Sequence, residues 1–95
     1  MKNDMMLSIL VCDDDKYFFE ILRDYLCKNM HFNKSDFLYS GNKEDMLKTY
    51  RKVKPGLVFM DIEVGENIGF DIIRELLKEG YSPQVVYITN YDYYV

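Results

Sequence analysis

The chain has 95 residues, of which 48% are apolar and 29% charged, and carries a net charge of −4. That length admits one domain with one core. The composition is that of a soluble globular protein, which excludes a disordered tail, a collagen-like repeat and a mucin-like stalk. With 16 acids against 12 bases there is no basic patch dense enough to grip nucleic acid unaided. Met1–Met6 carries Lys2 and Asp4 and no apolar stretch of signal-peptide length, and no apolar run approaches the roughly 20 residues that cross a bilayer. Export and membrane insertion are therefore not expected. The 2 cysteines read as reduced thiols of a cytosolic protein.

In chain order, the apolar run Leu7–Cys12 (LSILVC) is of strand length. Asp15 stands where a side-chain oxygen can cap the helix that follows. That helix, Lys16–Asn29, repeats apolar residues at Phe18, Ile21, Leu22, Tyr25 and Leu26, the i, i+3, i+4 pattern of one buried face. Phe37–Ser40 (FLYS), closed by Gly41, is a weaker strand candidate. Asn42 then caps a helix over Lys43–Lys54, with Met46, Leu47, Tyr50 and Val53 in one stripe and Pro55-Gly56 as the stop. Leu57–Met60 (LVFM) is the next strand. A helix over Gly69–Glu79 follows, with Ile72, Ile73, Leu76 and Leu77 inward and Gly80 at its end. Gln84–Thr89 (QVVYIT) is the last strand, and Asn90–Val95 reads as the start of a further helix. Strands alternating with helices imply right-handed crossovers and a parallel sheet, an open α/β fold whose chemistry lies at the carboxyl ends of its strands.

At those ends stand Asp13-Asp14-Asp15, Asp61 and Thr89. Carboxylates brought together from two strand ends repel one another, and they coexist with shifted pKa values or with a cation between them. All-oxygen ligands select a hard cation such as Mg²⁺, so a divalent site bounded by Asp14 and Asp61 is expected. Taken singly, an acidic triplet is an ordinary loop and helix cap, and Thr89 is a β-branched residue suited to a strand. It is their convergence on one edge that argues for a site.

The run Ile9–Asp15, the run Leu57–Asp61 with Gly69 eight positions after the acid, and Val86-Tyr87-Ile88-Thr89 together resemble the receiver domain of bacterial two-component response regulators. The wording of Ile88–Tyr94 is similar to receivers joined to LytTR-type DNA-binding domains. The resemblance runs over essentially the whole chain. It implies a flavodoxin-like doubly wound sheet with strand order 2-1-3-4, its fifth strand and last helices missing. It also implies that Asp61 accepts a phosphoryl group from a histidine kinase. Asp14 and Asp61, with the backbone carbonyl of Glu63, would ligate Mg²⁺, and Asp13 would act mainly through water. Thr89 would bond the transferred phosphoryl group and couple it to conformation. Two departures stand out. Receivers usually carry Met-Pro three and four positions after the acceptor, where this chain has Val64-Gly65. The Lys that the family places at the end of a fifth strand has no counterpart here.

The remaining notable residues have plainer readings. Cys12 and Cys27 lack CxxC spacing and fall on core elements, His31 has no second ligand nearby, and many of the 9 Tyr and 6 Phe fall on the expected core stripes. Tyr91, Tyr93 and Tyr94 are the exception, with nothing after them to bury them. Asp13-x-Asp15 superficially resembles the Asp-x-Asp of haloacid-dehalogenase phosphatases, but Tyr17 stands where that motif needs Thr or Val. No P-loop or dinucleotide fingerprint is present. The expected function is that of a cytoplasmic phosphoacceptor that switches an output such as transcription, reaching DNA only through an output domain absent from this chain. The alternative is a truncated or pseudo-receiver that binds protein partners without phosphorylation. The expected incompleteness also predicts self-association through an exposed sheet edge.

Overall fold

A computed structural model of the chain describes residues 7–89. The expected strands Leu7–Cys12, Phe37–Ser40, Leu57–Met60 and Gln84–Thr89 and the three expected helices form within two residues of their sequence-based limits. The elements run β1 (Ile9–Cys12), α1 (Lys16–Met30), β2 (Phe37–Ser40), α2 (Lys43–Val53), β3 (Leu57–Asp61), β4 (Glu63–Val64), β5 (Asn67–Ile68), α3 (Gly69–Lys78) and β6 (Val85–Ile88). The four long strands make one parallel sheet in the order β2-β1-β3-β6. With β6 counted as the fourth long strand, this is the order 2-1-3-4. The short pair β4–β5 is a separate antiparallel hairpin that the sequence reading passed over. The expected helix start at Asn90–Val95, and with it Tyr91, Tyr93 and Tyr94, lies outside the described residues.

Side chains alternate across the sheet and build a core on each face. Leu10, Cys12, Val58 and Met60 pack with Met46, Leu47 and Tyr50 of α2 and with Ile72, Ile73 and Leu76 of α3. On the other face, Ile9, Val11 and Phe37 pack with Phe19 and Leu26 of α1. β1 is buried along its whole length because both its neighbours and both its faces are covered. Its near-continuous apolar sequence records that position.

The helices begin and end where their chemistry dictates. The Asp15 carboxylate accepts from the N–H groups of Tyr17 and Phe18, and Asn42 accepts from Asp45. At the end of α3, Gly80 takes a φ of +96° while Tyr81 N–H reaches back to the Leu76 carbonyl, the glycine-terminated closure that satisfies the last carbonyls. The stop of α2 differs from expectation in detail. Lys54 adopts the left-handed cap at φ 51°, ahead of Pro55-Gly56. Arg51 and Glu79, joined by two hydrogen bonds of 2.9 and 2.6 Å, and Lys43 with Glu75 at 2.6 Å, tie α2 to α3 at the surface.

The buried stripe of α1 is rotated from the one expected. Phe19, Leu22, Leu26 and Cys27 face the sheet, whereas Ile21 and Tyr25 are 49% and 62% exposed. Phe19 takes the inward position because its ring meets that of Tyr39 on β2, with centroids 4.9 Å apart. Val53 and Leu77, expected inward on α2 and α3, are also exposed, since each lies at the margin of its stripe.

Candidate functional site

The carboxyl ends of β1 and β3 are adjacent in the sheet, with Cys12 opposite Met60 in register, so the residues that follow them meet. Asp13 is carried out of β1 by an N–H bond to the Ser40 carbonyl of β2 at 3.1 Å, and Asp61 is the last residue of β3. Carboxylate oxygens of Asp13, Asp14 and Asp61 lie within 4.8 Å of one another. Asp13 is fully buried and Asp61 is 7% exposed, while Asp14 opens to solvent. Among the described residues this is the group of acids, cysteines and histidines close enough to hold a metal ion.

Each of the three carboxylates accepts a backbone N–H on one oxygen. Asp15 N–H donates to Asp13 Oδ1 at 2.8 Å, and Glu63 N–H donates to Asp61 Oδ1 at 3.3 Å. Both are local turns two residues long. The third donor comes from far along the chain: Gly65 N–H reaches Asp14 Oδ2 at 3.1 Å. Gly65 opens the two-residue turn between β4 and β5 with φ +61°, and Glu66 after it keeps a negative φ, the pattern of a type II′ hairpin turn.

The electrostatics follow from this crowding. Burial first, and then the charge of Asp13, push the Asp61 carboxyl up to about 6, against the opposing pull of the Glu63 N–H. Burial, and then the same acids, push the Cys12 thiol up to about 12. Three hard oxygen donors with mutual repulsion are a donor set that fits Mg²⁺ or another hard divalent cation.

Gly69 packs against the backbone at the end of β3. A Cβ at this position would fall on the carbonyl oxygen of Asp61 and 2.8 Å from Met60 Cγ. Gly69 N–H also bonds the Ile62 carbonyl at 2.6 Å. Its spacing from Asp61 is therefore a packing requirement, because α3 starts in contact with the strand end.

Of the site residues expected from sequence, Asp13, Asp14 and Asp61 come together. Glu63 borders them through its backbone N–H, with its side chain exposed. Thr89 is exposed at the same sheet edge, one residue beyond Ile88, the register partner of Asp61. The sequence reading missed the Gly65 N–H on Asp14. The available signal was the Val64-Gly65 departure itself, since a glycine keeps the backbone N–H that proline lacks.

The sequence profile of the response regulator receiver domain matches residues 9–94. The sensory transduction protein LytT of Bacillus subtilis (strain 168) is 32% identical over 92 residues, covering 94% of this chain and 36% of that protein. LytT of Bacillus anthracis is 34% identical over 91 residues, covering 94% of this chain and 35% of its own. The chain thus spans little more than a third of the length of these curated relatives. Among solved structures, the MaeR response regulator bound to beryllium trifluoride is similar, with a TM-score of 0.78 at 27% identity over 93% of this chain and 70% of that one. Among the described residues, no helix is long and apolar enough to cross a membrane.

Proposed function

This chain belongs to the response regulator receiver family, and we propose that it acts as a Mg²⁺-dependent phosphoacceptor whose acceptor is Asp61. One observation carries the reading: the nearly buried Asp61 carboxylate ends β3 within reach of the Asp13 and Asp14 carboxylates. In the proposed reaction an oxygen of Asp61 attacks the phosphorus of a kinase phosphohistidine. The P–N bond breaks, its electron pair leaves with the imidazole nitrogen, and that nitrogen takes up a proton.

Mg²⁺, when bound, would supply the positive charge that offsets the acceptor carboxylate and the phosphoryl oxygens. Asp14 and Asp61, with the Glu63 carbonyl, are the residues that would hold it, and Asp13 would hold its water. The backbone donors described above keep these carboxylates oriented. The Thr89 hydroxyl, at the same edge, then donates to a phosphoryl oxygen and draws the end of β6 towards Asp61.

The partners that go with this reading are a sensor histidine kinase and a cytoplasmic setting, with an output on transcription through a DNA-binding segment outside the receiver. A second copy across the β6 edge, where Val86 is 43% exposed, is a further partner. A monomer in light scattering at high concentration would contradict that contact.

The phosphoacceptor reading is tested with a small acyl phosphate donor and Mg²⁺, followed by intact mass. The wild type is expected to gain one phosphoryl group, and Asp61→Asn none. Gain by both variants, or by the wild type in excess chelator, overturns the assignment. Mg²⁺ binding with no phosphoryl gain would favour an interaction module that works without phosphorylation.

A further inference from the structure

We propose that Gly65 is a positioning residue for metal binding, acting through Asp14: its N–H holds one oxygen of a carboxylate that lies within 4.8 Å of those of Asp13 and Asp61. This rests on the metal-site reading above and adds to it the residue that sets the affinity of the exposed ligand.

The three acids differ in how they are held. Asp13 and Asp61 are buried, and each is oriented by the N–H two residues along its own turn. Asp14 is exposed, so neither packing nor a local turn limits its rotamers. Freezing an exposed side chain into a coordinating geometry costs conformational entropy at the moment the ion binds. A hydrogen bond already made to one carboxylate oxygen removes part of that cost, which is why ligating carboxylates are commonly held by an outer partner. Here the partner is the Gly65 N–H, at 3.1 Å from Asp14 Oδ2 across 51 residues of sequence.

Only an unusual turn can deliver it. Gly65 has φ +61°, and open space surrounds the place where its Cβ would be. An L-residue here meets no neighbour, so the demand for glycine comes from the backbone conformation alone. A residue that abandons the positive φ rotates the peptide plane and takes the N–H off Asp14. Proline, usual at this position in receivers, has no N–H to give. The donor therefore belongs to the Val64-Gly65 departure, and the departure turns a rigid loop residue into a hydrogen-bonding one.

The test is Mg²⁺ titration by calorimetry, with Mn²⁺ followed by electron paramagnetic resonance, on four versions of the 95-residue chain. These are the wild type, Gly65→Ala, and two synthetic chains carrying D-alanine or N-methylglycine at position 65. D-alanine keeps the positive φ and the N–H, whereas N-methylglycine can reach the same φ but has no N–H to donate. Gly65→Ala and the N-methylglycine chain are expected to bind about tenfold more weakly, the low end of the range for losing an outer-shell partner. The D-alanine chain is expected to restore wild-type affinity. Equal affinity in the wild type and the N-methylglycine chain overturns the proposal, as does a D-alanine chain as weak as Gly65→Ala. Failure of the wild type to bind either cation overturns the metal reading and this inference together, whereas wild-type binding with unchanged variants overturns this inference alone.

Discussion

Replacing Asp61 by Asn should stabilise the metal-free domain at neutral pH, although it removes the phosphoryl acceptor proposed above. In the native state the Asp61 carboxyl is pushed up from 3.8 to about 6, first by burial and then by Asp13. A carboxyl whose folded pKa exceeds its unfolded value binds more protons in the native state. Stability therefore falls as pH rises through that interval, and the full penalty applies above it. At about 1.36 kcal/mol per pH unit the ceiling is about 3 kcal/mol. Solvent reaching the site past the exposed Asp14 screens part of this, which leaves an expected gain of about 1–2 kcal/mol for Asp61→Asn at about pH 7.5.

Asn keeps an oxygen for the Glu63 N–H, so that bond survives the change. The assay is urea unfolding followed by circular dichroism in chelator, because the chain has no Trp. The gap between variant and wild type should close as the pH falls towards 4, where the native Asp61 is already protonated. Mg²⁺ should reverse the order by stabilising the wild type through mass action. A variant no more stable than the wild type at neutral pH, or a gap that does not narrow in acid, would refute the electrostatic account of the cluster.

Two further outcomes follow from the packing around the site. Gly69→Ala should cost about 1–3 kcal/mol in the same unfolding assay, because its Cβ falls on the Asp61 carbonyl oxygen and 2.8 Å from Met60 Cγ; an unchanged midpoint would contradict this contact. In native alkylation read by peptide mass, the half-buried Cys27 should react well before Cys12, whose buried thiol is pushed up to about 12, and both should react in denaturant.

Much of this fold was legible because each level of the sequence agreed with the next. Asp15 and Asn42 stand at helix starts with the side chains that cap them, and Gly80 stands where a left-handed residue closes α3. The continuous apolar β1 announced a strand covered on both faces. What stayed hidden depended on tertiary partners. The inward turn of Phe19 is decided by Tyr39, twenty residues later, whereas helical periodicity alone put Phe18 and Ile21 on the buried face.

The site divided in the same way. Asp13, Asp14 and Asp61 could be placed together because strand ends of a parallel sheet share an edge. The bond from Gly65 to Asp14 could not, because it depends on a hairpin of two residues per strand, too short for any alternation to register. Thr89 stands at the same edge because its neighbour Ile88 is the register partner of Asp61.

The most direct measurement of the central claim is the position of the modification. The chain is treated with an acyl phosphate and Mg²⁺, the resulting mixed anhydride is trapped by hydride reduction, and the reduced residue is located by tandem mass spectrometry. The account predicts reduction at Asp61 alone, with Asp13 and Asp14 unmodified. Reduction at either of those acids, or at none in a chain that binds Mg²⁺, would contradict it.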